Sequence, residues 1–528
     1  MARGHPGALS SPDARKEWIT VSHTGRTRRR RFLTMLAAGT LTLGTALGMA
    51  TGAAAAPSYG NIDEDATGSI IVHKHENQVG TGADQNPDGT GTPIPSPPVA
   101  GVEFTVYEIL DADGKPVDLT VPRNWDHLDD LKVSADGKTL TGGPGAPSGP
   151  WTVGAAKDVG TTGADGTTRL DLDRIGAYVV VETDAPTSVV QRAHPFIVTI
   201  PLPFEDGWLY DVHVYPKNSL VDITKSVTAQ PADGLGLGST VSFPVTTRVP
   251  GLAPGTGFDS YVVQDVLDPR LGSVGVAGVT LGGAKVDASY YTVEVDGNTV
   301  RVVFTPTGLT WLATQADQRL VTTFEGTVES IGDGTITNEA TVFVNDPTES
   351  GGLTSNTVET NWGDLVVRKT DAASPGTGLA GAQFQVYAAA DPYATSCTAA
   401  TPTGSPLTVD GKSTFTSGAD GRISVGGLFV SDSVNEKASA TTRCYVLKEV
   451  QAPAGFVTPS GDDAYTPVAV RVGATTGVDV TIENVQQVTP ELPSTGGQGR
   501  TALLAAGALV LGLALTLSVA TRRRAARS

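Results

Sequence analysis

Residues 363–371 read GDLVVRKTD and residues 68–76 read GSIIVHKHE, and the relation between these two stretches decides the fold. Each opens on a glycine, runs through branched apolar residues and reaches a lysine at its seventh position, Lys369 in one and Lys74 in the other. Short Val/Ile-rich runs bounded by Gly, Asp and Asn are strand signals. Two further pairs follow in the same order. AGVEFTVY at 100–107 matches AGAQFQVY at 380–387, and YVVVETDAP at 178–186 matches YVLKEVQAP at 445–453. Three matched segments in one order mean that the first and last thirds of the chain share a fold.

A different unit lies between them, roughly 219–360, opening at DITKSV and closing near TNEATVFVNDP. Runs such as STVSFPVTTRV and NTVRVVFTP alternate with period two, the pattern of half-buried strands. No long stretch of the body carries a convincing helical period. The expectation is an all-β protein built of sandwiches.

The two ends read differently. Residues 26–31 hold five arginines, residues 32–50 are apolar and residues 51–57 are small, the three parts of a secretory signal peptide with cleavage near Ala55. At the other end, ELPSTGGQGR precedes twenty uncharged residues, 501–520, then Arg522, Arg523 and Arg524. About 20 apolar residues span a bilayer as a helix, and the arginines mark its cytoplasmic side. The body before residue 501 is therefore expected outside the cell.

Charge narrows the function classes. The whole chain carries −18, while residues 1–55 carry +6 and 496–528 carry +5, which leaves −29 on residues 56–495. Such a body repels phosphate backbones, so no nucleic-acid partner is expected. Only two cysteines occur, Cys397 and Cys444, in an exported context where a disulfide persists. Closing their 47-residue separation stabilises by about 4 kcal/mol in the chain-entropy model.

LPSTG with its apolar span and basic tail resembles the cell-wall sorting signal read by sortases of Gram-positive bacteria. WLYDVHVYPKN at 208–218 resembles the pilin motif, and YVLKEVQAPAGF at 445–456 resembles the E-box. All three occur together in sortase-assembled major, or shaft, pilins. The resemblance implies three tandem immunoglobulin-like, Cna-type β-sandwich domains. They would follow a signal peptide at 1–55: an N-terminal domain at 56–218, a D2-type domain at 219–360 and an E-box domain at 361–490. The sorting signal and membrane helix would occupy 491–528. It also implies a subunit of a covalent pilus on the cell surface, anchored to peptidoglycan. Its partners would be a class C sortase, a housekeeping sortase, identical subunits, a tip pilin and host or bacterial receptors. No cofactor is implied.

The resemblance assigns residues as well. A sortase thiolate would attack the carbonyl of Thr495 and release Gly496, after recognising Leu492, Pro493 and Ser494. The amine that resolves the thioester would be Lys217 of the next subunit. Val212 and Val214 take the inward parity of their strand, so Lys217 takes the outward one. In the last domain an isopeptide bond would join Lys369 to Asn484, with Glu449 as the catalyst. In the middle domain the matching set is Lys225, Asp265 and Asn338, with Asp268 and Asn345 as neighbouring alternatives. A buried lysine loses its proton readily and a buried carboxyl keeps one, which supplies both nucleophile and acid.

For the first domain the expectation is no such bond. Setting Val212 against Val480 and Val214 against Ile482 places Pro216 where Asn484 stands, so Lys74 and Glu182 are present without an amide. Asn218 is the nearest substitute, at the same parity. The first domain, outside the covalent path from Lys217 to Thr495, should then be the first to unfold. DQNPDG at 84–89 copies half of a calcium loop but lacks its closing glutamate, and His73 and His75 lack a third ligand, so no metal site is assigned. The competing classes are a monomeric wall-anchored adhesin, a tip or base pilin, and a wall-anchored enzyme, for which no catalytic constellation stands out.

Overall fold

The computed structural model describes residues 61–78, 84–144, 150–228, 234–346, 348–434, 437–487 and 498–525. The signal peptide at 1–55 and the sortase motif at 492–496 lie outside the described residues. The chain divides into two compact units. One is formed by Met1–Thr228, Ser242–Gly326 and Thr337–Val358, the other by Ala229–Val241, Thr327–Ile336 and Glu359–Ser528.

The architecture is all-β. In the first unit, strands Phe196–Ile200, Gly176–Asp184, Glu103–Leu110 and Thr152–Thr161 form one sheet in that order. Asp211–Val214, Gly68–His73 and Thr167–Leu172 form another. The apolar parity of both sheets meets in a core of Ile70, Val72, Phe104, Val106, Leu170, Tyr178, Val180 and Val212. Two five-stranded sheets follow. Thr240–Arg248 shows why its sequence is a strand: exposure alternates residue by residue, burying Val241, Phe243 and Val245.

In the second unit the long strand Val358–Asp371 pairs antiparallel with Arg422–Asp432 and parallel with Val480–Asn484. A further sheet sets Gln383–Ala389 beside Thr442–Gln451, which pairs with Tyr465–Arg471. The repeat seen in the sequence is thus a repeat of structure. Its two opening glycines have one cause: a Cβ on Gly68 would stand 2.3 Å from the Tyr210 carbonyl oxygen, and one on Gly363 1.8 Å from that of Arg471. Only glycine permits either close approach.

Two short helices break the all-strand reading of the body, Pro122–Asp129 and Pro306–Leu312. Both start on a proline, whose fixed φ suits the first helical turn. At eight and seven residues they are too short to show a period. The first belongs to an insertion whose Val117, Leu119, Leu140 and Trp151 cover Val179 and Val181, so the strand Gly176–Asp184 is buried on both faces.

Cys397 and Cys444 form a disulfide. Cys444 and Val446 pack with Tyr387, Ala394 and Tyr465, so the bridge ties the loop after Gln383–Ala389 to the E-box strand. Reduction is expected to lower the unfolding free energy of this domain by about 4 kcal/mol. Denaturant titration with and without a thiol reductant measures it, and coincident curves would rule the contribution out.

Past the body, Gln498–Ala525 is one helix. Its segment Thr501–Arg523 is long and apolar enough to cross a membrane.

Candidate functional site

Three buried clusters share one composition. In the last domain, Lys369 Nζ lies 2.6 Å from Asn484 Oδ1 and 3.3 Å from Glu449 Oε2, and Asn484 Nδ2 donates to Glu449 Oε1 at 2.7 Å. The lysine and the asparagine come from the parallel strands Val358–Asp371 and Val480–Asn484, the glutamate from Thr442–Gln451. Burial pushes the Lys369 ammonium below its usual range and the Glu449 carboxyl above its own. Both shifts run toward the neutral amine and the neutral acid, the pair that amide exchange needs.

The middle cluster is Lys225, Asp265 and Asn338, all nearly inaccessible. Lys225 Nζ pairs with Asp265 Oδ2, and Asn338 Nδ2 donates to the same oxygen at 3.3 Å. Phe243 and Phe324 cover the ammonium. Desolvation again lowers the lysine and raises the carboxyl. Asn338 Oδ1 is buried with no hydrogen-bond donor among the described residues, a costly state for an amide left as it stands. The sequence alternatives are engaged elsewhere: Asp268 binds Arg270, and Asn345 Oδ1 accepts from the Asp259 backbone at 2.8 Å.

A third cluster corrects the register expected in the first domain. Lys74 Nζ lies 2.8 Å from Glu182 Oε2, and Asn218 Nδ2 donates to Glu182 Oε1 at 2.8 Å. Lys74 and Asn218 are fully buried, and Phe104 lies under the ammonium. Burial lowers the Lys74 pKa to about 8. The expected register was off by two residues. Val72 pairs with Val214, as Val367 pairs with Val480, so Val214 and not Val212 is the counterpart of Val480. Asn218 then pairs with Glu76 as Asn484 pairs with Asp371, each two residues beyond its lysine. Valine four residues before asparagine, in both VYPKN and VTIEN, is the sequence signal that could have pointed to this register.

Asn218 points inward, and its neighbour Lys217 takes the other face of strand Lys217–Leu220, half-buried. Desolvation lowers the Lys217 ammonium pKa as well. His213 and Tyr215 share its parity. His73 stacks on both rings at 5.0 and 4.9 Å, and His73 Nε2 and His213 Nδ1 are 2.7 Å apart. The loop after Asp84 closes on this row: the His213 backbone donates to Pro87 O, and Tyr215 donates to Asn86 O. Asp88 in this loop caps Thr90. Among the described residues no group of three potential metal ligands converges. Sequence reasoning also missed Arg248, whose guanidinium joins Glu76, Asp222 and Asp317 beside the strand that carries Lys217.

Comparison with known proteins identifies the family. The model of the Gram-positive pilin subunit D1, N-terminal domain, matches residues 65–219, and the LPXTG cell wall anchor motif matches 484–525. Fimbrial subunit type 2 of Actinomyces naeslundii is 39% identical over 92% of this chain and 96% of its own. Fimbrial subunit type 1 of Actinomyces viscosus is 31% identical over 94% and 98%. The full-length major pilin SpaD of Corynebacterium diphtheriae superposes with a TM-score of 0.63 at 27% identity, over 81% of this chain and 99% of that one. The anchor motif and the apolar helix that follows it place the protein on the cell surface, attached to the wall. A chain of this architecture, with relatives of matching length throughout, belongs to the Gram-positive fimbrial subunits.

Proposed function

We propose that this fimbrial subunit forms the shaft of a covalent pilus, each copy joined through Thr495 to Lys217 of the next. The observation that carries the reading is the split at 217 and 218: Asn218 is committed to a buried cluster, while Lys217 is turned outward on the same strand. The sortase thiolate attacks the Thr495 carbonyl, the Thr495–Gly496 bond breaks, and Lys217 Nζ displaces the thiolate to leave an amide. Pro493 holds the recognised segment extended. A class C sortase would polymerise the subunits, a housekeeping sortase would transfer the chain to peptidoglycan, and a tip pilin would face host or bacterial receptors.

The clusters serve the same end. In three domains of roughly 56–218, 219–360 and 361–490, Lys Nζ attacks the asparagine Cγ, the C–Nδ2 bond breaks and ammonia leaves. The carboxyl of Glu182, Asp265 or Glu449 protonates the departing group and takes up the proton of the amine. The chain is then a substrate and a structural part, and the chemistry of these three clusters is performed on itself.

Wall extracts boiled in detergent are expected to show a ladder of covalent multimers on immunoblot. Lys217→Ala should collapse it to wall-bound monomer, a complete loss of multimers. Persistence of the ladder in this variant would sink the assignment of Lys217, and a wild type with no ladder would favour a monomeric adhesin.

A further inference from the structure

His75 and Lys217 are direct partners in the parallel ladder, as Glu76 and Asn218 are. Strands lie about 4.8 Å apart. The two side chains therefore leave the backbone next to each other, on the face opposite the Lys74–Glu182–Asn218 cluster. His75 Nδ1 lies 2.7 Å from the carbonyl oxygen of Ser96. A carbonyl only accepts, so Nδ1 is the donor, and in the neutral ring the lone pair sits on Nε2. The Ser96 contact thus fixes both the tautomer and the ring orientation. His73, two residues earlier on this face, has its Nε2 engaged by His213. The other titratable neighbours are Tyr215 on the motif strand and Asp165, which acts on His73; the segment at 96–98 brings only Ser and Pro.

We propose that His75 is the catalytic base of the inter-subunit linkage, its Nε2 accepting the proton that Lys217 Nζ gives up on becoming an amide nitrogen. The inference rests on Lys217 being the acceptor amine. The step balances. The lysine ammonium first yields one proton to water, which its partial burial eases. The free amine forms the C–N bond to the Thr495 carbonyl carbon, the C–S bond breaks, and the thiolate leaves with its electron pair. The second proton passes to His75 and from there to solvent. Lysine and base thus come from the same subunit, preassembled by two adjacent strands. This accounts for a histidine paired directly with the motif lysine, on the face where the buried cluster has no use for it.

A small acetyl thioester tests this without sortase. The folded body is treated with it at pH 7, and acetylation of Lys217 is compared by peptide mass spectrometry with the exposed Lys132 and Lys285. Lys217 is expected to react about a hundredfold faster, the lower end of what a positioned proton acceptor gives. His75→Gln, whose amide can still donate to the Ser96 carbonyl, should bring it down to the rate of the other two. His75→Ala should regain rate with added imidazole, a rescue that a purely structural role would not give. A wild-type rate in His75→Gln, or no advantage at Lys217 in the wild type, overturns the proposal. The shaft assignment is judged separately, by the Lys217→Ala ladder in cells.

Discussion

Glu449→Gln is expected to leave the purified body heavier than wild type by one ammonia, after correction for the substitution itself, and to destabilise the last domain by about 5 kcal/mol. The mass change follows from geometry. Glu449 holds the Asn484 amide at 2.7 Å and lies 3.3 Å from Lys369 Nζ, and a glutamine there can neither donate an acid proton nor receive one from the amine. The energy follows from topology. A Lys369–Asn484 bond closes a loop of 115 residues between the opening and final strands, and a constraint of that length on the unfolded chain is worth about 5 kcal/mol. A buried lysine left without a carboxylate adds to the loss. Intact-mass measurement, denaturant titration and trypsin resistance report the three consequences. A wild-type mass equal to that of the chain with only its disulfide would end the isopeptide reading for all three domains.

The second large effect is in the first domain, where the sequence suggested that no bond could form. Tandem mass spectrometry of the wild type is expected to find Lys74 joined to Asn218, for a total of three ammonias lost from the body. Asn218→Ala should remove that link and cost about 5 kcal/mol, since it would close a loop longer than the one in the last domain. This variant keeps Lys74 beside Glu182 as a free amine with a pKa of about 8 in the folded state. The ordinary value is about 10.4, so between these values the unfolded chain binds more protons than the folded one. The stability of Asn218→Ala should therefore rise as pH is raised from about 8 to about 10.4, and the cross-linked wild type should lack that rise. The expectation that the first domain unfolds first loses its basis with the register on which it rested. Unlinked Lys74 and Asn218 peptides from fully folded wild type would restore it.

Local pattern settled the elements and their order. Alternation of apolar residues specified strands, and the paired GDLVVRK and GSIIVHK segments specified that two parts of the chain fold alike, because a half-buried strand must repeat with period two. Residues bound to one strand by parity alone, such as the outward Lys217, were legible too. The two short helices were not, being shorter than the windows in which a helical period shows.

Register was the other limit. Parity says which face a residue takes but not which residue opposes it, and a slip of two preserves every face while moving each partner by two positions. That is how Pro216 came to stand in the place of Asn218. Only the paired strands, with Val72 on Val214 and Val367 on Val480, selected the asparagine. Asp265 rather than Asp268, and Asn338 rather than Asn345, the set the resemblance implied, are also the residues whose side chains converge from strands far apart in sequence. The sequence by itself determined an exported, wall-anchored, all-β subunit with a repeated domain, because those properties reside in composition and local period. The tertiary structure decided that Asn218 joins Lys74 and Glu182, because that depends on strand register, and register is fixed by packing across the sheet.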